Sequence, residues 1–148
     1  MQRGFEVVSA YLDKGIRLPR RKTGLAAGYD LEAAESILIP AKEIGKVPTG
    51  LKAYMLPDEM LNVYARSSLF QTKKCILVNA VAVIDADYYN NPGNEGHIIM
   101  TLLNMSDQAV TIGKGERFAQ GVYQKYLKTD DDEPTNTIRM GGYGSTGQ

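Results

Sequence analysis

The feature that most constrains the fold is a series of short apolar segments that alternate with a period of two, separated by glycine, proline and asparagine. Residues 61–65 and 118–123 show it best, and in the second segment the period places Gln120 on the face of Phe118. Such alternation is typical of half-buried strands. No helical stripe extends over about a dozen residues, and only residues 67–74, which begin with serines, favour a short helix. The sequence predicts an all-β sandwich or barrel.

The length and the glycine-rich end of the chain predict one domain followed by a tail. A chain of 148 residues fits a single domain. We expect a β domain over residues 1–128, then an acidic connector and a glycine-rich arm over residues 129–148. The arm is too poor in apolar residues to build a core, so it is either a disordered end or a segment that orders over a ligand. Its amides, Arg139, Ser145 and Thr146 are groups that bind phosphate.

Composition restricts the function further. Seventeen acidic and seventeen basic side chains give a net charge of zero, which argues against a nucleic-acid duplex as partner. The lone cysteine, Cys75, excludes an internal disulfide, and a lone histidine, His97, leaves no Cys/His metal cage. No apolar stretch approaches the roughly 20 residues of a membrane span, and the amino terminus has no signal-peptide core. We therefore expect a cytoplasmic protein without a membrane partner.

An acidic stretch lies between two apolar runs, at the place where a hairpin is expected. The apolar run 75–84 leads into Asp85-Ala86-Asp87-Tyr88-Tyr89, a dense turn signal follows over residues 90–96, and a second apolar run covers residues 98–103. This pattern predicts a β-hairpin with an oversized tip. A carboxylate at the end of an apolar strand has the restricted environment that a general base needs. The alternative is a solvated strand end with turn-forming side chains.

Two further segments carry polar groups that suit a phosphate. Arg66-Ser67-Ser68 lies at the start of the predicted helix, where an arginine fork, hydroxyls and helix amides could bind an anion. A serine that caps the helix beside a surface arginine is the alternative. Gln120 on an apolar face needs a hydrogen-bond partner, which is either structural or a ligand.

Taken in order, these segments resemble the motifs of the trimeric dUTP diphosphatase (dUTPase) family over nearly the whole chain. The five matching segments are residues 27–31, 65–69, 79–88, 115–120 and 141–147. Residues 90–95 are an insertion that is similar to dUTPases from phages of Gram-positive bacteria. In the last motif one residue fewer separates Arg139 from the glycines, and Tyr143 replaces the usual phenylalanine.

The resemblance implies a jelly-roll fold, a homotrimer with active sites between subunits, and an exchanged carboxyl-terminal arm. It implies hydrolysis of dUTP to dUMP and pyrophosphate, with Mg²⁺ on the triphosphate. Asp85 would be the general base that activates water, and Asp30 would hold Mg²⁺ through a water molecule. Tyr88 would pack against the deoxyribose and exclude a 2′-hydroxyl.

The resemblance also assigns the remaining substrate contacts. The phosphate-binding residues would be Arg66, Ser67, Ser68 and Gln120 in the body and Arg139, Gly144, Ser145 and Thr146 in the arm. The backbone near His97 and Ile98 would read uracil, Asn79 would support that strand geometry, and Tyr143 would stack on the base. Val83 and Ile84 are further expected substrate contacts. We expect His97 to be a loop side chain rather than a catalyst, because Asp85 already fills the base role.

Two alternatives remain open at this point. A dCTP deaminase shares the fold, but it needs a glutamate near the pyrimidine ring, where this chain carries Asp-Ala-Asp-Tyr-Tyr. A nucleotide-dependent protein that binds a repressor or another regulator is the second alternative. For that role the insertion 90–95 and the acidic run 130–133 are the candidate surfaces.

Overall fold

The computed structural model describes residues 1–135, and within them it confirms the all-β prediction. The strands are β1 (Gly4–Val7), β2 (Tyr29–Glu32), β3 (Ile37–Ile39), β4 (Ile44–Pro48), β5 (Leu51–Tyr54), β6 (Glu59–Ala65), β7 (Cys75–Leu77), β8 (Ala82–Asp85), β9 (Ile99–Asn104), β10 (Val110–Ile112) and β11 (Arg117–Lys125). Short 3₁₀ turns cover Ser9–Tyr11 and Ala86–Tyr88. The predicted helix is present as α1 (Ser67–Lys73), and it ends where Lys74 adopts a left-handed conformation with φ 55°.

The strands pair in antiparallel fashion in every described sheet. The larger sheets have the orders β2-β11-β6-β8 and β4-β9-β7, and the two-stranded sheets are β1-β5 and β10-β3. Neighbouring strands are often far apart in sequence, so the chain crosses repeatedly between sheets. This topology makes β6 and β11 the centre of the four-stranded sheet.

One hydrophobic core joins the two larger sheets. Leu31, Leu61 and Phe118 of the four-stranded sheet are fully buried, as are Val47 and Leu102 of the three-stranded sheet. Burying aliphatic and aromatic side chains of this size stabilises each by about 1.5–3 kcal/mol. The alternation over residues 61–65 is confirmed where Leu61 and Val63 face this core.

The predicted hairpin is confirmed for the first half of the run 75–84 and wrong for the second half. The apolar run 75–84 is two strands, of which β7 pairs with β9 whereas β8 pairs with β6 in the other sheet. The run breaks at Ala80, where φ is 61° and the Val81 amide donates to the Asn79 carbonyl at 2.7 Å. This is the geometry of a classic γ-turn, which redirects the chain so that each half buries its apolar side chains in its own sheet.

A second correction concerns Gln120. The register of β11 against β2 shifts between Arg117 and Ala119, because Phe118 is an additional residue on β11. A β-bulge of this kind reverses the alternation on either side of it. Gln120 therefore lies on the outer face beside Asp30 and Tyr64, and not on the face of Phe118.

The chain beyond β11 has few described contacts. The Tyr126 hydroxyl donates to the Pro57 carbonyl at 2.9 Å, and residues 129–135 are exposed. The division at residue 128 stays a prediction. The arm residues with predicted roles, Arg139, Tyr143, Gly144, Ser145 and Thr146, lie outside the described residues. Within residues 1–135, no helix is both long and apolar enough to cross a membrane.

Candidate active site

The four-stranded sheet brings one group of predicted site residues together around Asp30. The Asp30 carboxylate lies 3.3 Å from Arg66 Nε and 3.3 Å from Arg117 Nη1, and its side chain is 17% exposed. Gln120 is the cross-strand neighbour of Asp30. Two arginines on one half-buried carboxylate leave a net positive charge, so this group favours an anion.

Gly28 leaves the space that the Gln120 side chain occupies. A Cβ at position 28 would lie 2.4 Å from Gln120 Oε1, closer than non-bonded atoms approach one another. Because Gly28 has no side chain, the Gln120 amide can occupy this space, beside Asp30 on the outer face of the sheet. The glycine of the first motif has a steric role in this site.

The two serines of the second motif lie at the start of α1, next to Arg66. The N-cap residue is Arg66 itself, and no side chain caps the helix. The capping interpretation of Ser67 and Ser68 is therefore wrong for the described structure. Ser67 is exposed and Ser68 is half-buried, so the Ser67 hydroxyl can be reached from solvent.

A cleft extends this basic group along the chain that precedes β2. It has a volume of about 670 Å³ and includes both Asp30 and Arg117 in its wall. The other lining residues are Arg17, Leu18, Pro19, Arg20, Arg21, Lys22 and Glu32. The wall therefore carries five basic and two acidic side chains, a charge balance that favours a polyphosphate over a neutral ligand.

A second group of predicted residues lies around the end of β8. Asp85 is exposed, and the 3₁₀ turn Ala86–Tyr88 follows it directly. Tyr88 is buried, with 8% of its surface exposed. Its hydroxyl donates to the His97 carbonyl at 2.9 Å and accepts from Asn94 Nδ2 at 2.7 Å. This turn therefore places the candidate base next to a firmly held aromatic ring.

His97 has a structural role in this second group. Its Nε2 accepts a hydrogen bond from the Gly50 amide at 2.9 Å, and its ring packs on Tyr11 at a centroid distance of 5.1 Å. Burial lowers the pKa of His97, which favours the neutral imidazole that can accept this bond. These contacts agree with the expectation that His97 is not a catalyst.

The backbone near His97 is already used within the chain. The His97 amide donates to the Asn94 carbonyl at 3.1 Å, and the Ile98 amide donates to the Leu51 carbonyl at 2.8 Å. The Ile98 carbonyl accepts from the amide of Thr49 at 3.1 Å and from its hydroxyl at 2.7 Å. These groups are therefore already paired within one chain, and the assignment of this backbone to uracil stays a prediction.

The remaining predicted residues lie on or beside β8. Ile84 is buried in the core, so only its backbone can face a ligand. Val83 is 54% exposed on the outer face, opposite Asn62 of β6. Asn79 is exposed at the turn that separates β7 from β8.

Comparison with known proteins places this geometry in a family. The dUTPase family model matches residues 14–147. A deoxyuridine 5′-triphosphate nucleotidohydrolase of Lactococcus lactis is 52% identical over 146 residues, which cover 98% of this chain and 97% of the relative. The chain belongs to the dUTPase family. The resemblance seen in the sequence motifs is confirmed.

Solved structures of dUTPases confirm the fold. The crystal structure of a Streptococcus mutans dUTPase superposes with a TM-score of 0.82 at 50% identity, covering 86% of this chain and 98% of the other. A dUTPase of Staphylococcus bacteriophage 80alpha superposes with a TM-score of 0.72 at 18% identity, covering 93% and 99% of the two chains. The phage likeness is one of fold alone. The jelly-roll β fold expected of the family is the fold of this chain.

The two groups of predicted residues lie at opposite ends of β6. Asp85 is opposite Met60 near one end, and Arg66 follows the last residue at the other end. Six residues of an antiparallel strand span about 20 Å. A single chain therefore does not bring Asp85 to Arg66, Asp30 and Gln120.

Sequence reasoning missed the role of two basic residues. Arg117 lies in the fourth motif, and only the pairing of β11 with β2 shows that it binds Asp30. Lys52 is buried, with its ammonium 2.9 Å from Glu95 Oε1 and 2.6 Å from Asn90 Oδ1. The sequence did carry a signal for the role of Lys52, a single lysine within an apolar strand, because a cation that is buried there requires polar partners.

Proposed function

We propose that this chain hydrolyses dUTP to dUMP and pyrophosphate by attack of water on the α-phosphorus. Membership of the dUTPase family supports the substrate and the reaction class. The observation that carries the proposal is the basic group of Arg66, Arg117 and Gln120 around Asp30, which offers donors to a triphosphate. Hydrogen-bond donors held in place before the reaction stabilise the charge that moves to the leaving pyrophosphate.

Asp85 is the proposed general base. A carboxylate at the end of β8 can take a proton from a water molecule held between it and the α-phosphate. The preceding residue, Ile84, is buried in the core and fixes the end of the strand. The base is thereby held on a rigid element, which keeps the attacking water in line.

Two copies of the chain would complete each site. In one copy the base and the phosphate-binding group lie about 20 Å apart along β6, which is farther than a triphosphate chain and its attacking water require. The outer face of β6 and β8 also suits a protein partner. Val83, an apolar side chain, is 54% exposed there. A closed threefold homotrimer would give three equivalent sites of this kind.

Mg²⁺ is the proposed cofactor, and it would enter with the substrate. Within residues 1–135 no three His, Cys, Asp or Glu side chains form a metal-binding cluster. Asp30 is an oxygen ligand at the edge of the basic cleft, which suits an ion that keeps several waters and takes its other ligands from phosphates. When bound, Mg²⁺ would neutralise part of the triphosphate charge. Asp30 would then hold the ion through a water molecule.

The remaining proposed contacts are those to the deoxyribose and the uracil and those made by the carboxyl-terminal arm. Tyr88 would present its ring to the deoxyribose. The β8 backbone near Val83 and Ile84 would face uracil, and Asn79 would support that geometry. The arm would close over the nucleotide with Tyr143 on the base and with Arg139, Gly144, Ser145 and Thr146 on the phosphates. Closure of this kind excludes water from the site.

The alternatives predict different products or partners. Family membership and 52% identity to a nucleotidohydrolase favour dUTP hydrolysis over dCTP deamination. Regulator binding could accompany hydrolysis, since phage dUTPases such as that of phage 80alpha are described as controlling the transfer of virulence genes. The acidic run 130–133 is exposed and accessible to such a partner. A pull-down with and without dUTP tests this second role.

The test of the main proposal is pyrophosphate release from dUTP, dTTP, dCTP and UTP, each with and without Mg²⁺. The proposal predicts release from dUTP in the presence of Mg²⁺ and little from the other nucleotides. Ammonia release from dCTP in the same panel would instead establish a deaminase. Equal turnover of UTP and dUTP would refute the proposed sugar contact.

A further inference from the structure

The insertion 90–95 is a compact structure held together by asparagine side chains. Asn91 is 5% exposed. Its Nδ2 donates to the Tyr88 carbonyl at 2.7 Å and to Asn94 Oδ1 at 2.8 Å, while its Oδ1 accepts from the amides of Gly93 and Asn94 at 2.9 and 3.1 Å. Side-chain hydrogen bonds to nearby backbone are the means by which asparagine stabilises tight turns. The insertion therefore has one preferred conformation.

Both ends of the insertion are anchored to the body of the protein. The buried Lys52 ammonium donates to Asn90 Oδ1 at 2.6 Å and to Glu95 Oε1 at 2.9 Å. Glu95 also accepts from the Ser9 amide at 3.0 Å and from the Ser9 hydroxyl at 2.8 Å. These bonds, led by the one from Lys52, lower the pKa of Glu95 to about 2. The carboxylate thus stays charged and paired at any ordinary pH.

The insertion acts on Tyr88 through Asn94. Asn94 Nδ2 donates to the Tyr88 hydroxyl, which in turn donates to the His97 carbonyl. The phenol thereby has one donor bond and one acceptor bond in fixed directions. Gly96, with φ 87°, allows the chain to pass close to Tyr88, because a Cβ there would lie 2.7 Å from the Tyr88 carbonyl. The segment that follows Tyr88 therefore holds the ring at its hydroxyl and packs against its backbone.

We propose that Asn94 is a positioning residue that sets the preference for dUTP over UTP by holding the Tyr88 ring in place. This inference rests on the proposed function, in which that ring lies against the C2′ face of the sugar. A ring discriminates against a 2′-hydroxyl by exclusion only if it cannot move aside. The hydrogen bond from Asn94 restrains the hydroxyl end of the ring, and the anchors at Lys52 and Glu95 restrain Asn94.

The test compares kcat/KM for dUTP, UTP and dCTP in four variants: Asn94→Ala, Tyr88→Phe, the double variant, and Tyr88→Ala. Asn94→Ala and Tyr88→Phe both remove the hydrogen bond between Asn94 and Tyr88, and Tyr88→Phe also removes the bond to the His97 carbonyl. Asn94→Ala is expected to lower the dUTP-over-UTP ratio roughly fivefold, and Tyr88→Phe by at least as much. The double variant is expected to lower it no further than the larger single effect. The dUTP-over-dCTP ratio should stay unchanged, because the bond does not touch the base.

Pro92→Ala is the matched control, since it changes an exposed residue of the same insertion. It is expected to leave both ratios at their wild-type values. If Asn94→Ala does not fold, Asn94→Ser takes its place, because the shorter side chain keeps a polar group in the turn and lacks the amide that donates to the Tyr88 hydroxyl. Tyr88→Phe cannot replace it, since it also removes the bond to the His97 carbonyl.

The outcomes separate this inference from the proposed function. Loss of sugar selectivity in Tyr88→Ala with full selectivity in Asn94→Ala and Tyr88→Phe would overturn the inference and leave the sugar contact intact. Full selectivity in Tyr88→Ala would overturn both the sugar contact and the inference, while dUTP hydrolysis by the wild type would still stand. Additive losses in the double variant would also overturn the inference, because the two residues would then act separately.

Discussion

Substitution of Gly28 by alanine is expected to weaken phosphate binding without unfolding the protein. A Cβ at this position would lie 2.4 Å from Gln120 Oε1 and 3.2 Å from Gln120 Cβ and Cδ. Non-bonded heavy atoms rest about 3.5 Å apart, so the amide oxygen must retreat by about 1 Å. The amide can swing away at the free end of the Gln120 side chain, and Gln120 Cβ has to give by only a few tenths of an ångström, so the strands keep their pairing.

The magnitude follows from the bond that the displaced amide can no longer make. A hydrogen bond to a charged phosphate contributes about 1.5–3 kcal/mol. Its loss converts into a drop in kcat/KM for dUTP of about 10- to 150-fold. The assay is pyrophosphate release at several dUTP concentrations, with thermal unfolding measured on the same samples. Little change in Tm is expected, because the backbone and the core are untouched.

Two controls make the Gly28 prediction specific. Gly24→Ala adds a methyl group of the same size where no atom lies within 4 Å, so its activity should be normal. Gln120→Ala should lose as much activity as Gly28→Ala, and the two together should lose little more. Wild-type kcat/KM in Gly28→Ala, or fully additive losses in the double variant, would refute the steric role of this glycine.

Three further predictions follow from the two halves of the site. Asp85→Asn is expected to bind dUTP normally while turnover falls by about 10²- to 10⁴-fold, because an amide cannot take the proton; wild-type turnover would remove Asp85 from the mechanism. Truncation after Asn136 is expected to leave Tm nearly unchanged and activity severely reduced, since a lid is lost rather than core; normal hydrolysis by the truncated protein would contradict this. Acidification below about pH 6.5 is expected to lower stability through His97, because burial lowers its pKa and the unfolded chain takes up the proton first. The stability supplied by neutral His97 is full above the unfolded pKa and falls as the pH drops towards the folded one, so His97→Gln should flatten the Tm profile below about pH 6.5.

The sequence predicts the class of fold because its signals are local. Period-two alternation over residues 61–65 depends only on which side chains face the core, and the structure confirms it. The pairing of the run 75–84 does not follow from such a signal. That run changes sheet at Ala80, whose left-handed conformation carries no glycine or proline to mark it. The short helix 67–73 was predicted from the serines at its start, although its N-cap residue is Arg66 and no side chain caps it.

The candidate site was predictable as a set of motifs but not as an arrangement. The pattern of β11 points Gln120 inward, and only the extra residue at Phe118 turns it towards Asp30. The ion pair between Arg117 and Asp30 likewise forms between two strands that are distant in sequence. The sequence predicted only an oversized hairpin tip at the insertion 90–95, whereas in the structure the buried ammonium of Lys52 bonds to both of its ends. Each of these features depends on a long-range contact, which composition and periodicity do not encode.

The most direct test of the shared site mixes two inactive variants. Asp85→Asn lacks the base and keeps the phosphate-binding group, whereas Arg66→Ala keeps the base and lacks an arginine that contacts Asp30. Each variant is first checked for assembly by size-exclusion chromatography. Equal amounts are then unfolded together and refolded, so that trimers form from both chains. With each site built from two neighbouring copies, about a quarter of the sites in randomly mixed trimers regain both intact halves. We therefore predict that dUTP hydrolysis returns to about a quarter of the wild-type rate. A mixture that stays as inactive as its two components, although mixed trimers have formed, would contradict a site built between copies of this chain.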